Sequence, residues 1–417
     1  MNNRLYVGID VSQKDYKVCI LNSDGDELCK RFALKNNSVD SAKLVEKIIG
    51  FADKQAVEMI YIGYESTSVY GWHLQYFLAD SKELAKYSPS IICFNPTIIE
   101  AFKKTLGDLP KNDNIDSFVI AERLRFGRLP ESVQTDFRYL ALQRLTRHRF
   151  HIVEKISSEK SYYLNNLFLK CNCLCQTKVF SDNFGATATS LIDEIGDLDL
   201  IADMPIEELA KFLLEKGKNM FKNPAETAAK LQEAIKSSYK LNSKLEDSLN
   251  IVLVSSLGII RSLEKEKKFL EKEIEKQVQV FKNEYTVLKS VKGVGAVYAA
   301  GIIAEIAGVK RFSNDNALAK FSGIYWNTYE SADFHAEETS LRKRGNKYLR
   351  YYLIQATDHV RKYLPEYLDF YSRKFKESKA HQHKRALVLT SRKFIRLVFA
   401  LLHEGKLYDD KHRQPAL

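Results

Sequence analysis

No stretch of this 417-residue chain is long enough to cross a membrane without carrying charge. The most apolar run, Ala296 to Val309, contains Glu305, so no membrane partner is expected. Nor does an apolar segment open the chain, which starts with Asn2, Asn3 and Arg4. The six cysteines (Cys19, Cys29, Cys93, Cys171, Cys173 and Cys175) are therefore expected to be reduced and cytoplasmic. The run Cys171-Asn172-Cys173-Leu174-Cys175 lacks the two-residue gap of zinc knuckles, and no second pair follows, which argues against a zinc site. An apolar content of 45% excludes a mostly disordered protein. Acid is the scarcer charge: 53 Asp and Glu face 64 Lys and Arg, a net charge of +11. That balance favours a polyanionic partner, nucleic acid first, although an ordinary basic soluble protein would share it.

The acids that are present stand in telling places. Asp10 ends an apolar strand from Leu5, and Glu65 ends a second from Met59. Asp113 and Asp116 are three residues apart at the head of an expected helix and so share one face. Carboxylates gathered this way repel unless a cation sits among them, and hard oxygen ligands suit Mg²⁺. The expectation is a metal-dependent phosphoryl-transfer site. Helix capping by Asp113 is the competing explanation for the helical pair.

The length implies two or three domains. Residues 1–135 alternate strand and helix signals. Leu5–Asp10, Tyr16–Leu21 and Glu27–Leu34 read as strands, with a turn at 22–26. A helix over Ser41–Ala52, the strand Met59–Glu65, a helix from about Val69 and a short strand at Ile91–Phe94 follow, with Asn95-Pro96 as the stop. This order predicts a mixed sheet covered by helices. Residues 136–284 comprise a long basic helix carrying Arg138, Arg144, Arg147, His148, Arg149 and Lys155, an irregular linker or small insertion over 181–224 with Pro205 and Pro224, and a charged periodic stretch. In that stretch Leu249, Val252, Ile260, Leu263, Leu270, Ile274 and Phe281 recur as on a coiled-coil seam, with a break expected at Gly258. A dimerisation arm is the reading preferred over an intramolecular hairpin.

Residues 285–417 form an α-rich unit. Gly293 and Gly295 link two expected helices, where backbone N–H groups could meet a phosphate, or where glycine geometry alone is needed. From Arg342 to Arg350 stand five basic residues (Arg342, Lys343, Arg344, Lys347, Arg350), no acid, and the interleaved Tyr348, a pattern that suits phosphate contact.

These segments together resemble the DEDD transposases of the insertion sequence 110 (and 1111) group, which includes the pilin-gene invertases. The resemblance rests on Tyr6–Ser12, Glu65–Tyr70, Lys111–Ser117 and Leu142–Arg149 in the first half. In the second half it rests on Val291–Gly295, Phe321–Ile324, Lys343–Arg350 and Ala386–Lys393. It implies a RuvC-like, ribonuclease-H-type domain over 1–135 whose acids Asp10, Glu65, Asp113 and Asp116 bind Mg²⁺. A C-terminal transposase domain would supply a serine that attacks DNA. Eight residues past Gly323, the family position falls on Ser331, with Ser340 and Ser322 as substitutes. The chain departs from the family pattern at Ser68, Asn112, Trp326 and Ala332. The last matching segment adds Arg392 and Lys393 to the expected nucleic-acid contacts.

The resemblance further implies donor and target DNA as substrates, a noncoding bridge RNA as guide, and a homo-oligomer, dimer or tetramer, working in the cytoplasm at the bacterial or archaeal nucleoid. A site-specific DNA invertase of the same family, a junction-resolving nuclease and a non-catalytic nucleic-acid-binding protein are the alternatives. Flanking element ends would favour transposition over inversion, a missing covalent intermediate would favour the nuclease, and Mg²⁺-dependent strand exchange would separate an enzyme from a binding protein.

Overall fold

A computed structural model describes residues 3–66, 69–107, 113–130, 136–218, 220–326, 330–331, 334–335, 341 and 344–409; for Asp113, Asn114, Glu330, Ser331, Phe334 and His335 it describes the backbone alone. The chain divides into two units, residues 1–135 and 136–417.

The first unit is built on a five-stranded sheet. Its strands are β1 (Arg4–Val11), β2 (Asp15–Leu21), β3 (Phe32–Lys35), β4 (Met59–Glu65) and β5 (Ser90–Phe94), in the order β3-β2-β1-β4-β5. β1–β2 and β2–β3 pair antiparallel, whereas β1–β4 and β4–β5 pair parallel. The helices are α1 (Ser38–Lys54), α2 (Trp72–Ala79), α3 (Lys82–Ala85), α4 (Pro96–Thr105) and α5 (Asp113–Arg125). Strand alternation divides the apolar residues between two layers. Leu5, Val7 and Ile9 of β1 join Leu44, Val45 and Ile48 of α1 on one face. Tyr6 joins Val119, Ile120, Ala121 and Leu124 of α5 on the other. The third strand is shorter than expected. Asn95-Pro96 ends β5, as expected, and also starts a helix: the Asn95 side chain accepts from the Thr97 N–H and Pro96 occupies the first turn of α4.

Glycine decides how closely α5 approaches. Gly8 of β1 pairs with Gly63 of β4. A Cβ on Gly8 would lie 2.1 Å from the Ser117 carbonyl oxygen and 2.4 Å from the Ala121 nitrogen. Only a residue without a side chain lets α5 lie directly on the sheet here.

Among its described residues, the regular structure of the second unit is helical apart from a two-stranded pair. Two long helices, α6 (Phe137–Lys170) and α12 (Ser243–Gln277), run antiparallel. Between them in sequence lie α7 (Asn172–Gln176), α8 (Ala186–Ser190), a π-helical turn (Leu191–Ile195), α9 (Leu198–Asp203), α10 (Ile206–Lys216) and α11 (Pro224–Lys236), before α12 (Ser243–Gln277). After it come α13 (Lys282–Lys289), α14 (Ala296–Ile306), α15 (Asp315–Ser322), β6 (Glu330–Ser331), β7 (Phe334–His335), α16 (Lys347–Tyr363), α17 (Pro365–Glu377) and α18 (Gln382–Glu404).

Three expectations are corrected here. Residues 181–224 are not an irregular linker, because Leu191, Ile192, Leu198, Ile201, Leu209 and Leu213 build a core with α6, α11 and α12. Gly258 does not break α12; it lies exposed within an unbroken helix, where one glycine costs only about 1 kcal/mol. The apolar seam of α12 is occupied within the chain. Leu253, Leu257 and Ile260 pack with Tyr163 and Leu167 of α6, and Leu263 and Leu270 pack with Ile152 and Ile156. Ion pairs Arg149–Glu271 (2.7 Å) and Lys160–Glu264 (3.1 Å) hold the same register. Periodicity marks a face for packing but does not name its partner.

All six cysteines are free thiols. Cys171 is buried, its sulfur 3.2 Å from the Ser238 hydroxyl, and burial pushes its pKa up. No helix among the described residues is long and apolar enough to cross a membrane.

Replacing Gly8 with Ala is expected to cost the first unit about 3 kcal/mol or more, because backbone atoms of α5 must move to admit the methyl group. Chemical denaturation followed by circular dichroism would measure this; an unchanged midpoint would show that α5 can shift freely.

Candidate active site

Asp10 and Glu65 sit two residues beyond the paired glycines Gly8 and Gly63, near the ends of adjacent parallel strands. By strand alternation both share the sheet face covered by α5. Asp116 occupies the first turn of α5, next to Ser117, whose carbonyl packs against Gly8. Sheet register and glycine contact thus draw three carboxylates from distant sequence positions into one region. Asp113 is the first residue of α5; its side chain lies outside the described residues.

The electrostatics record this closeness. Glu65 has its pKa pushed up to about 7, first by burial and then by the negative charges of Asp10 and Asp116. Lys103, on α4, opposes the shift. Its ammonium makes an ion pair of 2.6 Å with the Asp116 carboxylate, the two side chains being 21% and 32% exposed. Sequence reading missed Lys103. The signal was available: Lys103 follows the buried Ile99 by one helical turn, and so belongs to the inward stripe of α4, whereas Lys104 pairs with Glu100 in solvent.

Hard carboxylate oxygens of this kind have the right chemistry for a divalent cation. Yet among the described residues no three His, Cys, Asp or Glu side chains stand close enough to hold a metal together. The donor set fits, while the carboxylate of Asp116 is engaged by Lys103.

In the second unit the segment between α15 and α16 folds back on itself. Trp326 bridges to Leu341, Glu330 pairs with His335, and Ser331 pairs with Phe334. Ser331 therefore belongs to the described pair farthest along this hairpin from α15 and α16. Its side chain, and all of Ser340, Arg342 and Lys343, lie outside the described residues. Ser322 is fully buried, and its hydroxyl donates to the Ala319 carbonyl at 2.9 Å. Thus placed, its hydroxyl is shielded from solvent and already hydrogen-bonded.

The basic residues divide into two groups. Several are held internally. Arg147 grips the buried carboxylate of Glu305 with two hydrogen bonds, 2.7 and 2.8 Å, and Gln143 and Asn346 complete that carboxylate's bonding at 3.2 and 2.6 Å. Arg149, 8% exposed, pairs with Glu271 and donates to the Tyr351 hydroxyl. Arg350 donates to the Ser322 carbonyl. Arg392 pairs with Asp315 at 2.8 Å, and Lys393 with Glu366 at 3.3 Å. Arg144, Arg344 and Lys347 are exposed. Counting basic residues could not separate these groups, because each internal partner lies far away in sequence.

The glycines are similarly committed to packing. Gly293 has φ +97°, and a Cβ there would lie 2.8 Å from the Val360 backbone on α16. Gly345 (φ +147°) meets the backbone of Gly323, which closes the basic segment onto the end of α15. Gly295 precedes α14 with no side-chain cap.

The mixed sheet with acids at its strand ends fits a ribonuclease-H-like domain followed by a helical domain. Residues 7–169 match the family model of DEDD transposases of the IS110 type, described as a transposase, and residues 285–372 match that of the transposase IS116/IS110/IS902 family. The chain belongs to the IS110 family of transposases. This makes it a DNA recombinase by class. No curated protein matches it.

Two measurements follow. For a carboxyl whose folded pKa lies above its unfolded value, stability is highest at low pH and falls as pH rises between the two values. The metal-free protein should therefore lose about 1–2 kcal/mol between pH 4.5 and 7, a figure already reduced for solvent screening of a half-buried group. Glu65→Gln should remove that slope in a denaturation series, and an unchanged slope would place the coupling elsewhere. Separately, Arg147→Met should cost about 3 kcal/mol or more by leaving Glu305 buried and unpaired. Arg344→Ala, at an exposed position, should stay within about 0.5 kcal/mol of wild type.

Proposed function

We propose that this transposase cleaves and rejoins DNA strands with a serine nucleophile and divalent metal, Mg²⁺, held by Asp10, Glu65, Asp113 and Asp116. The observation that carries the reading is the electrostatic coupling of Glu65 to Asp10 and Asp116, brought together from two strands and a helix. Bound there, the cation would neutralise charge developing on a scissile phosphate.

Ser331 is the nucleophile in this reading. Its hydroxyl oxygen forms a bond to phosphorus while a phosphorus–oxygen bond of the DNA strand breaks, and the serine proton is passed to the departing sugar oxygen. One diester replaces another, so the strand can be resealed without nucleotide hydrolysis. A serine hydroxyl is a weak nucleophile at neutral pH and needs help in losing its proton. A carboxylate with a pKa near 7, as at Glu65, is suited to exchange protons under those conditions. The burial of Ser322, whose hydroxyl donates to the Ala319 carbonyl, supports Ser331 over it as the nucleophile.

The chain is organised as a RuvC-like catalytic domain over 1–135, a basic-helix and α12 region over 136–284, and a transposase domain over 285–417. Donor and target DNA are the substrates and a bridge RNA the guide. The protein acts as a dimer or tetramer in which the serine and the acids take part in one reaction. Self-association through α12 would use surfaces other than the seam already filled by α6. Of the basic residues, Arg144, Arg344 and Lys347 are the exposed candidates for phosphate contact, joined by Arg342 and Lys343. Arg147, Arg149, Arg350, Arg392 and Lys393, with Gly293 and Gly295, complete the proposed nucleic-acid contacts, the five cations being already bonded within the second unit.

Ser331→Ala should abolish a covalent protein–DNA adduct while leaving DNA affinity within about twofold of wild type, since no phosphate contact is removed. Asp10→Asn should abolish the adduct as well, by removing a metal ligand. Denaturing gels with labelled DNA, beside a binding titration, would measure both. An adduct that persists in Ser331→Ala would move the nucleophile to another residue.

A further inference from the structure

The side chain of Lys103 is directed into the acid cluster, not into solvent. It is 21% exposed, against 75% for its neighbour Lys104. Its position is set by a well-anchored helix: α4 is capped by Asn95, started by Pro96, and fixed by the buried Ile99 one turn before Lys103. The ammonium lies 2.6 Å from Oδ1 of Asp116. An oxygen so closely engaged by one cation has less to offer a second.

We infer that Lys103 is a built-in counter-cation that competes with divalent metal for Asp116. It holds the acid cluster together in the metal-free protein and must release Asp116 when a metal ion binds. The inference rests on the reading of Asp10, Glu65 and Asp116 as metal ligands, and it adds a control to that site. Two cations cannot occupy the same carboxylate oxygen without mutual repulsion, so the ion pair and metal binding oppose each other. Coupling between two such events is reciprocal: whatever strengthens the ion pair weakens the metal. The arrangement also accounts for the finding that the carboxylates share an electrostatic neighbourhood without three of the described groups forming a ready metal cage.

The test is Mn²⁺ titration of the full-length protein by calorimetry, beside thermal unfolding with and without Mn²⁺. Lys103→Met should bind Mn²⁺ about tenfold more tightly than wild type, because a competing unit charge has been removed. Without metal its melting temperature should fall, and saturating Mn²⁺ should raise it by more than in wild type. Lys103→Arg, which keeps the charge, should bind like wild type. A lysine serving only to pack α4 would give no gain in affinity. Equal or weaker Mn²⁺ binding by Lys103→Met would overturn the inference while leaving the metal site intact. Should that variant not fold, Lys103→Gln supplies the same comparison. Asp10→Asn is the control for the underlying reading: if Mn²⁺ binding is unaffected by it, the acid cluster is not the metal site and both ideas fall.

Discussion

The contact between Gly8 and the backbone of α5 governs the geometry of the first unit. With a Cβ only 2.1 Å from the Ser117 oxygen, no side chain can stand between strand and helix. That absence sets the height of α5 above the sheet and hence the position of Asp116 relative to the strand ends. Pairing of Gly8 with Gly63 aligns Asp10 with Glu65. The result is an energetically unfavourable gathering of negative charge; burial first, and the charges of Asp10 and Asp116 after it, raise the pKa of Glu65. Such a gathering persists because sheet pairing and two apolar layers stabilise the fold more than the repulsion opposes it.

In the second unit, charge is used largely as internal structure. Glu305 is fully buried yet bonded by Arg147, Gln143 and Asn346, which ties α6, α14 and the start of α16 together. Breaking such a buried pair costs far more than removing a surface charge. Arg149, Arg392 and Lys393 have similar duties at other helix contacts. Family motifs that read as nucleic-acid contacts therefore include many residues whose immediate work is holding helices in register. The close meeting of Gly323 with Gly345 joins two of those motifs directly. The hairpin bearing Ser331 springs from that junction.

The long helix α12 shows how one sequence pattern can serve two architectures. Its apolar positions recur as a coiled-coil seam would demand, and the structure fills them with α6 of the same chain. Gly258 stays helical because flanking turns are packed on that partner. Residues 181–224, irregular enough in sequence to suggest a linker, contribute short helices whose isolated apolar residues become a core only when assembled.

The sequence by itself determined the strands that carry Asp10 and Glu65, the helix headed by Asp113, and the long basic helix that became α6. Each follows from local alternation or periodicity and needs no distant partner. The tertiary structure alone decided that α12 lies on α6, that Arg147 and Arg149 face inward, that Ser322 is shut away, and that Lys103 reaches Asp116. Each of these depends on which surfaces meet across tens or hundreds of residues. A side chain's charge is written in the sequence, but its neighbours are set by the packing of the folded chain.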